Sequence, residues 1–168
     1  DPSVAAAVAA QAGAEAIDDR ADVVGQLVTA ALGAPCVQAA ATSDHWREVY
    51  ASTPVGGRLL EGYVDLLYRG PDGLVVVDYK TAATADPAEL DRRVAGYRSQ
   101  GASYALVVGR ATGEPVARVT FCFLTPQGVV ERHLSDLDVA MAEVEDTVRD
   151  GREVEDDRAT SLPSARAA

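Results

Sequence analysis

Leu74-Val75-Val76-Val77-Asp78-Tyr79-Lys80 is an apolar run that ends in an acid and a base two residues apart, and Gly70-Pro71-Asp72-Gly73 stands directly before it. Such a run, bounded by turn residues, reads as a strand buried on both faces. Side chains alternate along a strand, so Asp78 and Lys80 share one face while Val77 and Tyr79 share the other. The Gly-Pro-Asp-Gly turn makes about Arg58 to Tyr68 the antiparallel partner, and a four-residue loop pairs Arg69 with Leu74. Counting back along that ladder sets Asp65 opposite Asp78. Opposed like charges in a sheet cost a few tenths to about 1 kcal/mol, and more when buried. A divalent cation would neutralise them, and hard carboxylates with no His/Cys cluster nearby favour Mg2+ or Mn2+ over Zn2+. A slip of one residue would instead send the two acids to opposite faces as ordinary solvated groups.

Around this hairpin the remaining segments fall into place. Val4 to Leu32 is Ala-rich with few breakers beyond Gly13 and Gly25, and predicts one or two helices packed on a sheet. Trp46 to Tyr50 is strand-like and leads through a turn at Thr53-Pro54-Val55-Gly56-Gly57. Asp86-Pro87-Ala88-Glu89 has an N-cap, a proline at the first helical position and an acid three after the cap. It predicts a helical stretch to about Gly109, with a break near Gly101. Residues 116–124 and 128–133 alternate as two further strands joined at Thr125-Pro126-Gln127-Gly128, and an amphipathic helix runs from about Asp136 to Arg149. The sequence shows no internal repeat. The expectation is an α/β (α+β) domain over residues 1–150, a central mixed sheet flanked by helices. Residues 151–168, polar with Pro and Ser, read as a flexible tail or linker.

A chain of 168 residues, 48% of them hydrophobic, supports one core. No apolar run approaches the roughly 20 residues that span a bilayer, and no leader pattern is present. Cys36 and Cys122 are far apart in sequence and belong to no CxxC or Cys/His cluster, which argues against a zinc site or a disulfide framework and fits a reducing cytoplasm. A net charge of −11 gives no basic surface for holding a polyanion unaided. Of the fifteen basic residues fourteen are Arg, and Lys80 is the only lysine. One lysine can survive such a bias by chance; alternatively position 80 needs a compact ammonium that can be desolvated and lose a proton, which a guanidinium cannot do. With a cation at the carboxylates, phosphodiester hydrolysis is within reach. The metal would polarise a phosphate oxygen and activate water, and Lys80 would orient or deprotonate that water and offset charge in the transition state.

Three stretches carry a resemblance: Glu61-Gly62-Tyr63-Val64-Asp65-Leu66-Leu67, Val77-Asp78-Tyr79-Lys80-Thr81, and Tyr97-Arg98-Ser99-Gln100-Gly101-Ala102-Ser103-Tyr104. In order and spacing they resemble the motifs of the PD-(D/E)XK nuclease superfamily, in particular its RecB-like branch at the C-terminal end of helicase-nucleases, over roughly Trp46 to Leu134. The resemblance implies a restriction-endonuclease-like core in which Asp65 and Asp78 are metal ligands, the backbone carbonyl of Tyr79 adds an oxygen, and Lys80 is the catalytic lysine. Gln100 and Tyr104 match the family's Q-x-x-x-Y motif, which borders the site and contacts the DNA strand; Tyr97 lies one helical turn earlier on the same face. Packing of those tyrosines against the sheet is the plainer alternative. The resemblance further implies a bacterial, in particular actinobacterial, UvrD/RecB-type helicase-nuclease of DNA repair and recombination. Its helicase domains, in the same parent chain, would feed single-stranded DNA to this module.

One feature of that branch is missing. Its early helix commonly supplies a histidine as a further metal ligand, and Val4 to Leu32 contains none. His45 precedes the Trp46 strand as a turn or surface residue, and His133 falls near a strand end. Since Asp1 rather than Met opens the chain, the reading adopted is a truncated N-terminal helical part. A catalytically silent structural or DNA-guiding module of the same helicase is the alternative. Glu61, four residues from Asp65 and so roughly 13 Å along the strand, reads as a supporting group rather than a ligand. Glu48 is the other acid nearby, and Trp46 reads as a core or strand-edge anchor.

Overall fold

The computed structural model describes residues 2–151 and contains five strands and six α-helices in the order α1 (Pro2–Ala14), α2 (Ala21–Leu32), α3 (Pro35–Ala41), β1 (His45–Val55), β2 (Arg58–Gly70), β3 (Gly73–Thr81), α4 (Pro87–Gly96), α5 (Arg98–Thr112), β4 (Val116–Thr125), β5 (Gly128–His133) and α6 (Leu137–Arg149). The segment 152–168, expected to be a tail, lies outside the described residues. The strands form one sheet in the order β1-β2-β3-β4-β5. β1, β2 and β3 pair antiparallel, β3 and β4 are parallel, and β5 returns antiparallel. The expected mixed sheet flanked by helices is therefore what the chain forms.

Local chemistry accounts for most of the boundaries. Gly56 and Gly57, at φ 55° and 79°, close the β1–β2 hairpin as a two-residue turn with positive φ at both positions, where glycine carries no Cβ penalty. The turn expected over Thr53 to Gly57 is thus shorter than its composition suggests. Pro54 stays inside β1 opposite Leu59, because β1 is an edge strand and lacks a neighbour that would need the missing N–H. The Asp86 carboxylate accepts from the Glu89 amide at 3.1 Å, as the N-cap pattern anticipated. The helical break comes at Tyr97, not at Gly101, which sits inside α5. The stretch from Val4 to Leu32 forms two helices, α1 and α2, as expected, and a further helix, α3, follows after Leu32 where the sequence reading placed no element.

The sheet is buried on both faces. On one face α4, α5 and α6 cover Leu67, Leu74, Val76, Val119, Phe121 and Phe123. On the other, Ala34, Cys36 and Ala40 from and beside α3 cover Leu66, Tyr68, Val75, Val77 and Cys122. The two cysteines, distant in sequence, come together here as free thiols; a hydrogen bond to Cys122, burial and nearby Glu131 together hold the Cys36 thiol protonated by pushing its pKa up. Among the described residues no single helix is long and apolar enough to cross a membrane.

Gly101 sets the distance between α5 and the sheet: a Cβ there would lie 2.9 Å from the Phe121 ring and 3.1 Å from Val119. Gly96, at the end of α4, has open space around the same position. Gly101→Ala is expected to destabilise the chain by about 1–3 kcal/mol through overpacking. Gly96→Ala should be neutral or stabilising by up to about 1 kcal/mol. Thermal melts of both variants beside the unmodified chain check the contrast; equal melting temperatures would refute the close-approach assignment.

Candidate active site

The β2–β3 ladder keeps the expected register, Arg69 opposite Leu74, and ends at Leu66 opposite Val77. It stops one pair short of Asp65 and Asp78. Beyond that point β3 continues along β4 to Thr81, and β2 continues along β1, so the two strands fork. In place of a ladder bond, the Tyr79 amide donates to Asp65 Oδ2 at 2.8 Å. The pairing of β1 with β2 also skips one position, between Arg47/Leu66 and Val49/Val64. The skipped residues are Glu48, at φ 52°, and Asp65. The alternation of faces slips there: Val64 joins the cluster of Leu67 and Tyr104, whereas Leu66 and Tyr68 belong to the opposite face. The candidate site therefore sits where a sheet stops being regular.

Asp78 is 1% exposed. Its Oδ2 lies 2.7 Å from the Lys80 ammonium, and among the described residues this buried oxygen has no other donor. Burial pushes the carboxyl pKa up to about 6, against the Lys80 charge that lowers it and with the Asp65 carboxylate that raises it further. Lys80 is gripped from three sides. Besides Asp78, it donates to Gln100 Oε1 at 2.7 Å and stands 4.4 Å from the centroid of the Tyr97 ring. Tyr97 in turn leans on Phe121 and Phe123, with centroids 5.7 and 6.4 Å away.

The stripe Tyr97, Gln100 and Tyr104 on α5 thus faces the sheet. Gln100 and Tyr104 are each 6% exposed. The Tyr104 ring packs where Gly62 leaves room, since a Cβ at 62 would lie 2.8 Å from it. Glu61 points away from the centre and accepts from the Tyr50 hydroxyl at 2.5 Å. His45 is exposed with Nδ1 3.0 Å from the Ser43 carbonyl, and His133 is exposed beside Thr120. Trp46 is 44% exposed on the edge strand. Arg93, which the sequence reading passed over, stands one helical turn before Tyr97 and donates to its hydroxyl at 3.1 Å. Its i, i+4 relation to Tyr97 was the available signal.

The residues present fit a divalent cation of one kind. Among the described residues no three His, Cys, Asp or Glu side chains converge into a cage, which does not suit tetrahedral zinc. Two neighbouring carboxylates, one with a buried oxygen met only by the Lys80 ammonium among the described residues, suit a hard cation that keeps most of its ligands as water, as Mg2+ does.

A family model described as the PD-(D/E)XK nuclease superfamily matches residues 4–165 of the chain. Among solved structures, a candidate exonuclease of Eubacterium rectale is similar with a TM-score of 0.55 at 20% identity, over 82% of this chain and 56% of that one. This chain thus spans little more than half the length of that protein. The structure of SSO0001 is more distant, with a TM-score of 0.41 and 15% identity over 82% of this chain and 72% of its own. No curated protein matches.

The raised Asp78 pKa has a consequence for stability. Between the ordinary aspartate value and about 6, the folded chain holds a proton that the unfolded chain has released, so the contribution of this group is greatest at low pH and is lost as pH rises through 6. In chelator at pH 7.5, Asp78→Asn is expected to be more stable than the unmodified chain, by on the order of 2 kcal/mol, with the gain shrinking toward pH 4.5. Melting curves across that range test it; a less stable variant at pH 7.5 would contradict the assigned burial cost.

Proposed function

We propose that this chain, which belongs to the PD-(D/E)XK nuclease superfamily, hydrolyses phosphodiester bonds of single-stranded DNA with Mg2+ or Mn2+ held by Asp65 and Asp78. The observation that carries the reading is the buried Asp78 carboxylate set beside the Asp65 carboxylate and met by the ammonium of the only lysine of the chain. A divalent cation bound here would supply Lewis-acid stabilisation of the phosphate and activation of water. The protein's own groups do the rest. Asp78, desolvated at the fork, keeps one oxygen turned to the site, and Asp65 fixes the Tyr79 backbone through its other interaction, the accepted amide hydrogen bond. The backbone carbonyl of Tyr79 completes the oxygen set in this proposal. Lys80, locked by Gln100 and Tyr97, presents a compact ammonium where negative charge develops and where the attacking water is oriented.

In this reading Gln100, Tyr104 and Tyr97 form the border over which the DNA strand runs, Tyr97 with its half-buried ring outermost. The acidic balance of −11 supports a module that receives its strand from neighbours. Those neighbours are taken to be UvrD/RecB-type helicase domains of the same bacterial, in particular actinobacterial, parent protein, working in DNA repair and recombination in the cytoplasm.

Lys80→Ala is expected to lower cleavage of a single-stranded oligonucleotide by about 100-fold or more while Mn2+ binding by calorimetry persists. Asp78→Ala should remove both. Cleavage by Lys80→Ala at the unmodified rate would sink the assignment, and absence of Mn2+ uptake by the unmodified chain would leave a silent DNA-guiding module as the better reading.

A further inference from the structure

Arg93 stands at the rim of this site and has no carboxylate partner among the described residues. It lies half-buried in the last turn of α4. Its neighbours Arg92 and Arg98 are held by Glu89 and Glu143, whereas Arg93 makes one hydrogen bond among the described residues, to the Tyr97 hydroxyl. Its guanidinium carbon stands 5.9 Å from the Tyr97 ring centroid and 5.7 Å from that of Phe123. Both rings tie it to the reaction centre. Tyr97 is the ring against which the Lys80 ammonium rests, and Phe123 is the ladder neighbour of Lys80 on β4.

A half-buried guanidinium stacked on aromatic rings gains cation–π attraction, but four of its five N–H donors are left without an assigned acceptor. Lys80, held by Asp78 and Gln100, is committed to the reacting linkage and leaves the neighbouring phosphates to another cation. In a chain of net charge −11, an approaching polyanion meets few uncommitted cations, and this one is planar, forked and matched to two phosphate oxygens. We propose that Arg93 binds a backbone phosphate of the DNA strand next to the linkage held at Asp78 and Lys80, fixing the strand's register over the site. The inference rests on the nuclease reading above and adds to it a substrate contact on α4 that neither the D-x-K pair nor the α5 stripe contains.

The test uses the 168-residue chain and a fluorescently labelled oligo-dT. Binding is followed by anisotropy in Ca2+ over a range of salt concentrations, and steady-state cleavage is followed in Mn2+. Arg93→Met keeps the stacking length over Tyr97 and Phe123 without the charge, and a melt confirms that it folds. It is expected to weaken binding and raise KM by about 10-fold. The salt slope should fall by about 0.7, one phosphate contact on a single strand, with kcat within about threefold. Arg93→Lys should restore the slope and part of the affinity. Unchanged Kd and slope in Arg93→Met, with the unmodified chain active, would overturn the phosphate contact and leave the nuclease reading standing. A fall in kcat alone would also overturn it, showing that Arg93 only steadies Tyr97. Failure of the unmodified chain to bind or cleave would remove the nuclease reading and this inference together.

Discussion

The cost of burying the Asp78 carboxylate is the constraint around which this molecule is arranged. An ionised carboxylate that is 1% exposed is tolerated only beside compensating charge. Lys80 supplies that charge from two residues along the same strand, and Gln100 and Tyr97 hold Lys80 in place from α5. The compensation is incomplete, since burial still raises the Asp78 pKa against the Lys80 charge. A protein interior normally satisfies its polar atoms, and the Asp78 Oδ2, with Lys80 as its one partner among the described residues, falls where β2 and β3 part.

The fold serves that arrangement through the fork between β2 and β3. Had the ladder continued by two more pairs, the Tyr79 amide would have been taken up by the backbone of Val64, and Asp65 would have stood directly opposite the buried Asp78. Ending it there frees the Tyr79 amide to orient Asp65. The left-handed backbone at Glu48 and the skipped pair on β1 are the same disturbance seen from the other side of β2. Close approach of α5, allowed by Gly101 and Gly62, then brings Gln100, Tyr97 and Tyr104 onto the opening.

What the sequence disclosed and what it concealed divide along physical lines. The β3 run, the register from Arg69 and Leu74, the Asp86 cap and the parity of Asp78 and Lys80 are local properties of chain and turn, and each is found in the structure. The family resemblance covered Trp46 to Leu134, and the family model extends from residue 4 to 165. Long-range packing was concealed. The Cys36–Cys122 contact joins residues from α3 and β4. The role of Gly101 as a spacer, mistaken for a helix break, depends on Phe121 across the layer. Gln100 resembles a surface contact residue in the motif, and only the sheet beneath it turns it toward Lys80.

The fork also divides the sheet mechanically. Past Asp65 the outer part of the β1–β2 hairpin has no backbone hydrogen bonds to β3, and it is fastened by side chains instead: Tyr104 against Gly62, the Arg110 guanidinium on the Pro54 carbonyl and α6 under the Gly56 turn. Such an arm can lift as a unit without breaking a single β3–β4 bond. Protection of its amides is then expected to follow the packing of Val55 and Val64 against α5 and α6 rather than the strands around Asp78.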